Sequence, residues 1–507
     1  MALMSILLAA LVAGVVGLIL FMRGRHRFWS DRNFPCAPDA QLLLGHMQAR
    51  KIHQSYQNKE LYDRFKERGL QYGGYSFFLV PAVMLVDPEL VKTVLVRDFS
   101  VFHDRGIYCN PEADPLSGHL FLLEGQPWRT LRQKLTPTFT SGRMKSMFGT
   151  IMEVAEEFRL HMVENYNAKP EMEMKNVLIR FTTDVIGTCA FGLQCNTLKN
   201  PNSEFLKNGE RIFVQKPMDL LKFVFASVFK EFSKSINLKL TEPDVEKFFL
   251  SLTRDTVEYR EKNNVERNDF LNLLLQLKNR GYLTDNPEDS VKETVKLTMN
   301  EVAAQSFVFF IAGFETSSTT MNFCLYELAM NQEIQDRLRV EINKAVDANG
   351  GEITYELVMG LQYLDNVINE TLRKYPPIES LNRVPIRDYQ IPDTNHTIPS
   401  QTMITIPVYA IHHDPEHYPN PKKFDPDRFL PENVQSRHQY TFLPFGEGPR
   451  VCIGLRFGLM QTKIGLITLL RSFRFRPSPL TPDPIVFEKN TFVLAPEGGN
   501  YLHIDKI

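Results

Sequence analysis

The sequence predicts a mainly α-helical protein with a minor β component, folded as one large domain behind an N-terminal transmembrane helix. Three features carry this reading. Residues 126–375 hold long stretches of helical periodicity with few breakers. Thirteen of the 31 prolines crowd into residues 376–449, where long helices are excluded. The first 22 residues carry no charge and are apolar almost throughout.

Taken in order, residues 1–22 (MALMSILLAALVAGVVGLILFM) would extend about 33 Å as a helix, against a hydrocarbon core of roughly 30 Å. Arg23, Arg25, His26 and Arg27 follow at once, and the positive-inside rule then puts all later residues on the cytoplasmic face. A cleaved secretory signal fits less well, because no basic region precedes the apolar run and the charges lie beyond it. The reading is a retained signal anchor. Pro35 and Pro38 make residues 23–40 a basic, stiff hinge. No linker, repeat or low-complexity run divides residues 41–507. Helices are expected over residues 144–165, 270–280, 302–330, 333–348 and 363–374, a strand over 403–408, and a helix again over 455–473.

Composition narrows the function. A net charge of −1 over 507 residues favours no nucleic-acid partner. Six cysteines without a C-x-x-C pair make neither a disulfide scaffold nor a zinc site. Five of them read as incidental thiols in a reducing compartment. Cys452 differs. It sits in residues 445–454 (FGEGPRVCIG), between glycines and just ahead of an expected helix. Gly448 and Gly454 permit turns that other residues resist, and the N–H groups at a helix start favour a thiolate. These grounds alone leave a nucleophile or a soft-metal ligand, against the bland alternative of a structural thiol.

The pattern F-x-x-G-x-R-x-C-x-G, met at Phe445, Gly448, Arg450, Cys452 and Gly454, resembles the haem-binding signature of the cytochrome P-450 superfamily. Further motifs of that family follow in order over the whole chain. The resemblance implies a single large haem-thiolate fold holding haem b (iron protoporphyrin IX), with Cys452 as the proximal iron ligand. Ala312-Gly313-Phe314-Glu315-Thr316 lies mid-way along an apolar helix, where a buried carboxylate is costly unless used or paired. Gly313 removes a side chain where a ligand could approach, and Thr316 can bond back to a carbonyl. The segment looks like the family's oxygen-binding motif, with Glu where many members carry Asp. It implies that Thr316 hydrogen-bonds dioxygen and that Glu315 helps relay protons.

Glu370 and Arg373 match the family's E-x-x-R, and Pro426-Asp427-Arg428-Phe429 matches P-E-R-F with Asp for Glu. The implied network of Glu370, Arg373 and Arg428 pins the cysteine loop. Trp128 and Arg132 match W-x-x-x-R; with Arg450, Arg383 and Arg105 they are implied to meet the haem propionates. Each arginine alone would read as a surface charge. The implied substrate pocket draws on residues 116–123, Phe309, Ala312, residues 378–381 and residues 492–494. It is mainly apolar, with Glu379 either turned away or recognising a polar substrate group.

Residues 102–108 (FHDRGIY) and the Glu-Thr variant look most like the insect family-6 members, which are microsomal and many of which oxidise plant toxins and insecticides. The implied enzyme is a monooxygenase inserting one atom of O2 into small hydrophobic substrates at the endoplasmic reticulum membrane. No dinucleotide-binding fingerprint is present. The resemblance therefore implies electrons from NADPH–cytochrome P-450 reductase, with a b-type cytochrome as a further partner. Lys134, Arg456 and Lys463 are candidate docking cations. Residues 220–229 suit either a second membrane contact or a core helix. Two other classes, a haem-thiolate peroxide isomerase and a non-catalytic membrane-tethered haem sensor, would keep Cys452 without needing NADPH turnover.

Overall fold

The computed structural model describes residues 2–47, 52–213, 216–283, 295–489 and 491–507, and the long helices expected from apolar periodicity all form. They are Ser141–Ala168, Phe270–Asn279, Met299–Met330, Gln332–Ala348, Gln362–Lys374 and Leu455–Ser472. Between Pro376 and the cysteine loop the proline-rich chain makes only short pieces. The helices there are five-residue turns such as Val408–His412, and the expected strand is Met403–Ile406.

Four strands form the main sheet, in the order Tyr72–Phe77, Val80–Leu85, Met403–Ile406, Leu381–Arg383. The first two make a hairpin. Val80–Leu85 then pairs in parallel with Met403–Ile406, which runs antiparallel to Leu381–Arg383 with Ile404 opposite Arg383. The edge strand thereby carries Arg383 into the protein, where it is 2% exposed. A smaller sheet joins Glu171–Glu173, Tyr501–Lys506 and Phe473–Pro477.

The helix Met299–Met330 is apolar on nearly all sides and is correspondingly buried. It packs against Met174–Ile186 and Leu455–Ser472 in the middle of the larger core. It begins three residues before the expected start at residue 302, because Thr298 and Glu301 form a capping box. Thr298 Oγ1 accepts from the Glu301 N–H at 3.2 Å, and Glu301 Oε2 accepts from the Thr298 N–H at 2.8 Å.

The N-terminal helix Ala2–His26 runs four residues past Met22; Met1 lies outside the described residues. It is long and apolar enough to cross a membrane, and most of its apolar side chains from Leu3 to Phe21 are exposed. Contact with the body starts at once afterwards. Met22 and Trp29 are buried, Arg25 Nε donates to Leu79 O at 3.0 Å, and Trp29 Nε1 donates to Tyr75 O at 3.2 Å. The segment expected to act as a hinge is strapped to the sheet. Gly74 N donates to Pro35 O at 2.7 Å, and Ala37 N donates to Gly74 O at 2.9 Å. Residues 220–229 fall in the helix Pro217–Val228 and its end, where Leu221, Phe225 and Phe229 are exposed. That stretch is not a core helix.

Thr298→Ala removes the cap of the central helix. We expect a loss of about 1 kcal/mol in stability, read by chemical denaturation, with faster amide exchange at Glu301.

Candidate active site

Cys452 follows the turn Gly448–Arg450 and precedes the helix Leu455–Ser472. Gly448 takes φ of +73°, and a Cβ there would overlap the carbonyl oxygen of Leu95. Glycine is required for the turn. The Cys452 N–H donates to Phe445 O at 2.9 Å and closes the loop, while Phe445 packs on the larger core. Cys452 keeps accessible surface although protein surrounds it on all sides. Burial pushes its thiol pKa up; the Gly454 N–H, Arg132 and Arg105 pull the other way and are outweighed. The helix start favours a thiolate as expected, through the Gly454 N–H, but burial outweighs it. Desolvation is the larger effect, and a cation at Sγ is what would hold the anion.

Four guanidinium groups gather near this loop: Arg105, Arg132, Arg383 and Arg450. Each arrives on a different element, Arg132 from the helix Gly125–Leu135, Arg383 from the edge strand, Arg450 from the turn, and Arg105 from a loop. Among the described residues, Asp104 is the one carboxylate in ion-pair range of any of them, 3.5 Å from Arg450 Nη2. Arg450 also donates through Nη2 to Leu123 O at 2.9 Å and through Nε to His103 O, and lies 4.0 Å over the Trp128 ring. Arg450 Nη1 and Arg383 Nε are buried without a partner. Burial, with Arg383 close by, lowers the Arg450 pKa to about 9, and burial lowers that of Arg383 to about 10. Arg105 donates to Phe121 O at 3.0 Å, and its pKa too is lowered, by burial and then by the other three arginines.

Along the central helix from Val302 to Ala329, only Ile311, Ala312, Gly313 and Thr316 are not buried. Ala312 and Thr316 are four apart and share a face. Thr316 Oγ1 donates to Ala312 O at 2.6 Å, the backward bond expected of it. Glu315 does not join Thr316. It is buried on another side and pairs with Lys175 Nζ at 2.9 Å; that lysine also donates to Ser318 Oγ at 2.9 Å and Thr319 Oγ1 at 2.7 Å. A Cβ at Gly313 would lie 2.8 Å from Ile186 Cδ1, so the missing side chain permits close helix packing. Gln461 Nε2 donates to Gly313 O at 2.6 Å, tying the helix after Cys452 to this segment.

Glu370 and Arg373 are both fully buried and make a bidentate pair, Nε to Oε2 at 2.7 Å and Nη2 to Oε1 at 2.9 Å. Arg428 Nε lies 3.4 Å from Glu370 Oε1. The three residues are brought together as their motifs imply.

Three other expectations need correction. Phe309 does not line the pocket; its ring packs on Phe139 at 5.2 Å and Phe270 at 5.4 Å within the core. Glu379 is occupied by Asn58 Nδ2, at 3.1 and 2.9 Å, and by Ser380 Oγ at 2.7 Å, which leaves it no part in substrate recognition. Lys463 is buried against Asp365 at 2.7 Å and is not a docking cation, whereas Arg456 is exposed. A polar surface cleft of about 740 Å³ lined by Glu89, His417, Arg437 and His438 holds none of the residues above except Arg428. Sequence reasoning missed Asp104 and Lys175. Asp104 adjoins Arg105 in a quoted motif, but nothing in the sequence links it to Arg450.

A family model described as cytochrome P450 matches residues 35–503. The chain belongs to the cytochrome P450 family. Among its relatives are probable cytochrome P450 6a21 of Drosophila melanogaster, 42% identical over 506 residues and 99% of each chain, and cytochrome P450 6A1 of Musca domestica, 43% identical over 495 residues and 96% of each chain. Cytochrome P450 6a2 of Drosophila melanogaster is 42% identical over 512 residues, covering 99% of this chain and all of that one. This P450 is a monooxygenase, an oxidoreductase of a family whose cofactor is haem. The donor set fits that cofactor. An accessible thiol suits iron, and two buried, unpartnered guanidinium nitrogens within a cluster of four arginines suit a dianion.

Two buried histidines give the fold an acid limit. Burial lowers the pKa values of His119 and His412 from 6.5 to about 3. Between those values the unfolded chain binds more protons, so stability is complete above pH 6.5 and falls as pH drops. The slope is up to about 1.4 kcal/mol per pH unit for each ring. Denaturation midpoints at pH 7.5 and 5.5 should differ accordingly, and His119→Gln should remove its share.

Proposed function

We propose that this P450 is a membrane-anchored monooxygenase of small hydrophobic compounds, xenobiotics such as plant toxins and insecticides, with haem b held through Cys452. The cluster of under-paired arginines beside an accessible cysteine carries the reading. Two propionates would meet Arg132, Arg450, Arg383 and Arg105, with Trp128 backing Arg450. Phe445 and Gly448 shape the loop that presents Cys452. Haem, when bound, supplies the activation of dioxygen and takes up the electrons.

The chain supplies shape and protons. The Ala312 to Thr316 face is the accessible part of the central helix, and Gly313 sets its depth by letting the helix settle on Ile186. With its hydrogen on Ala312 O, Thr316 Oγ1 presents lone pairs and accepts a hydrogen bond from the reacting side. To donate there, it must first release Ala312. Glu315 delivers protons only by exchanging its ion pair with Lys175 for a partner nearer the pocket.

Electrons come from NADPH–cytochrome P-450 reductase, with a b-type cytochrome as a second donor, docking at exposed cations that include Arg456. The helix Ala2–His26 anchors the enzyme in the endoplasmic reticulum with the catalytic domain on the cytoplasmic face, in keeping with the basic residues that end it. The exposed apolar face at Leu221, Phe225 and Phe229 adds a second lipid contact.

Two substitutions test the assignment. Cys452→Ala should abolish the strongly red-shifted Soret band that the reduced, carbon monoxide-bound protein shows under thiolate ligation; an unaltered band would sink it. Thr316→Ala should lower product per NADPH severalfold and raise released peroxide to match, and unchanged coupling would remove Thr316 from proton delivery.

A further inference from the structure

His412 ends the short helix Val408–His412 and is completely buried. Its two ring nitrogens face partners of opposite kind. Nδ1 lies 3.1 Å from Arg373 O, an acceptor, and Nε2 lies 2.9 Å from the Leu443 N–H, a donor. Only the neutral ring protonated on Nδ1 satisfies both contacts; an imidazolium would set N–H against N–H. Burial and the nearby Arg373 charge keep the ring neutral. The main chain of the same residue returns the contact, since Arg373 Nη1 donates to His412 O at 2.9 Å. Residue 373 is thus bound to residue 412 twice, once through each side chain.

Beyond Leu443 the bonds continue to the cysteine. Leu443 O accepts from the Gly446 N–H at 3.0 Å, and Phe445 O accepts from the Cys452 N–H at 2.9 Å. Phe442 stacks on the His412 ring at 5.5 Å and holds the chain just before Leu443. Leu443 is 1% exposed, so its N–H has no water to turn to if the ring is lost. The Glu370–Arg373 pair makes no direct hydrogen bond to residues 441–452 among the described contacts; His412 joins the two.

We propose that His412 is a positioning residue for the cysteine loop, its neutral imidazole transmitting the placement of the buried Glu370–Arg373 pair to Leu443 and so to Cys452. This rests on Cys452 being the haem ligand. The ring acts through the loop and touches no reacting atom.

Reach separates this role from simple packing. Gln at residue 412 can place an amide oxygen where Nε2 stands, whereas Asn reaches only as far as Nδ1. His412→Asn and His412→Gln would be made in the full-length, haem-loaded protein and compared with wild type. Two quantities are read: amide exchange at Leu443 and Gly446, and the rate at which the thiolate-type carbon monoxide band gives way to the blue-shifted form in mild denaturant. In His412→Asn both should rise about tenfold or more, while amide exchange in Met299–Met330 stays as in wild type. His412→Gln should lie within about threefold of wild type. Equal behaviour of the two variants, or unchanged exchange at Leu443 in His412→Asn, overturns the proposal. Should His412→Asn not accumulate as folded protein while His412→Gln does, exchange at Leu443 in His412→Gln decides: protection as in wild type supports the relay, and loss of protection refutes it. A wild-type protein without the thiolate band would instead refute the ligand assignment of Cys452.

Discussion

A buried ion pair governs the part of this protein that has no regular structure to support it. Glu370 and Arg373 are fully removed from water, which costs several kcal/mol per ion unless every donor and lone pair is met. They are met by the chain itself. His412 O and Pro421 O accept from Arg373 at 2.9 Å each, and the Asp425 N–H donates to Glu370 Oε1 at 2.9 Å. Arg428 adds its charge 3.4 Å from the same oxygen and its own hydrogen bonds to Pro419 O at 2.7 Å and Asn420 O at 3.1 Å. Residues 413–425, with Pro415, Pro419 and Pro421, form no helix or strand, so the two side chains take the place of secondary structure.

Near the cysteine the electrostatics run the other way. The Glu370 site is saturated with partners, whereas among the described residues Asp104, 3.5 Å from Arg450, is the one carboxylate in ion-pair range of Arg105, Arg132, Arg383 or Arg450. Buried like charges at this density are tolerable only where an anion completes the set. On the reading proposed above, the first network would set where the cysteine loop sits, and the second would receive a dianionic cofactor beside it. Cys452 belongs to both. Its thiol is disfavoured as an anion by burial, so a metal bound there would have to act together with the loop's geometry to hold the thiolate.

Helix geometry constrains the other side of the site. Consecutive residues on a helix point about 100° apart, so Glu315 and Thr316 leave the helix in different directions. Thr316 takes the accessible face with Ala312, and Glu315 turns to Lys175. Acid and alcohol are neighbours in sequence, but the acid is engaged by Lys175 and the alcohol is not.

Much of this was legible in the sequence. The apolar N-terminal helix, the long helices and the loss of helix after Pro376 follow from local composition, from periodicity and from proline's missing N–H, which act locally. The resemblance led to Cys452, to Glu370 with Arg373 and Arg428, and to all four clustered arginines, because each lies in a short pattern. What remained hidden depends on residues distant in the chain. The sequence could not say that Glu379 would meet Asn58, that Lys463 would be buried on Asp365, or that Phe309 would turn to Phe139 and Phe270. Local chemistry is decided by neighbours along the chain, so residue type and spacing determined the elements and the candidate ligands. Which side chain faces the pocket, which charge is paired, and that Gly313 yields to Ile186 are outcomes of packing between helices, and only the tertiary structure decided them.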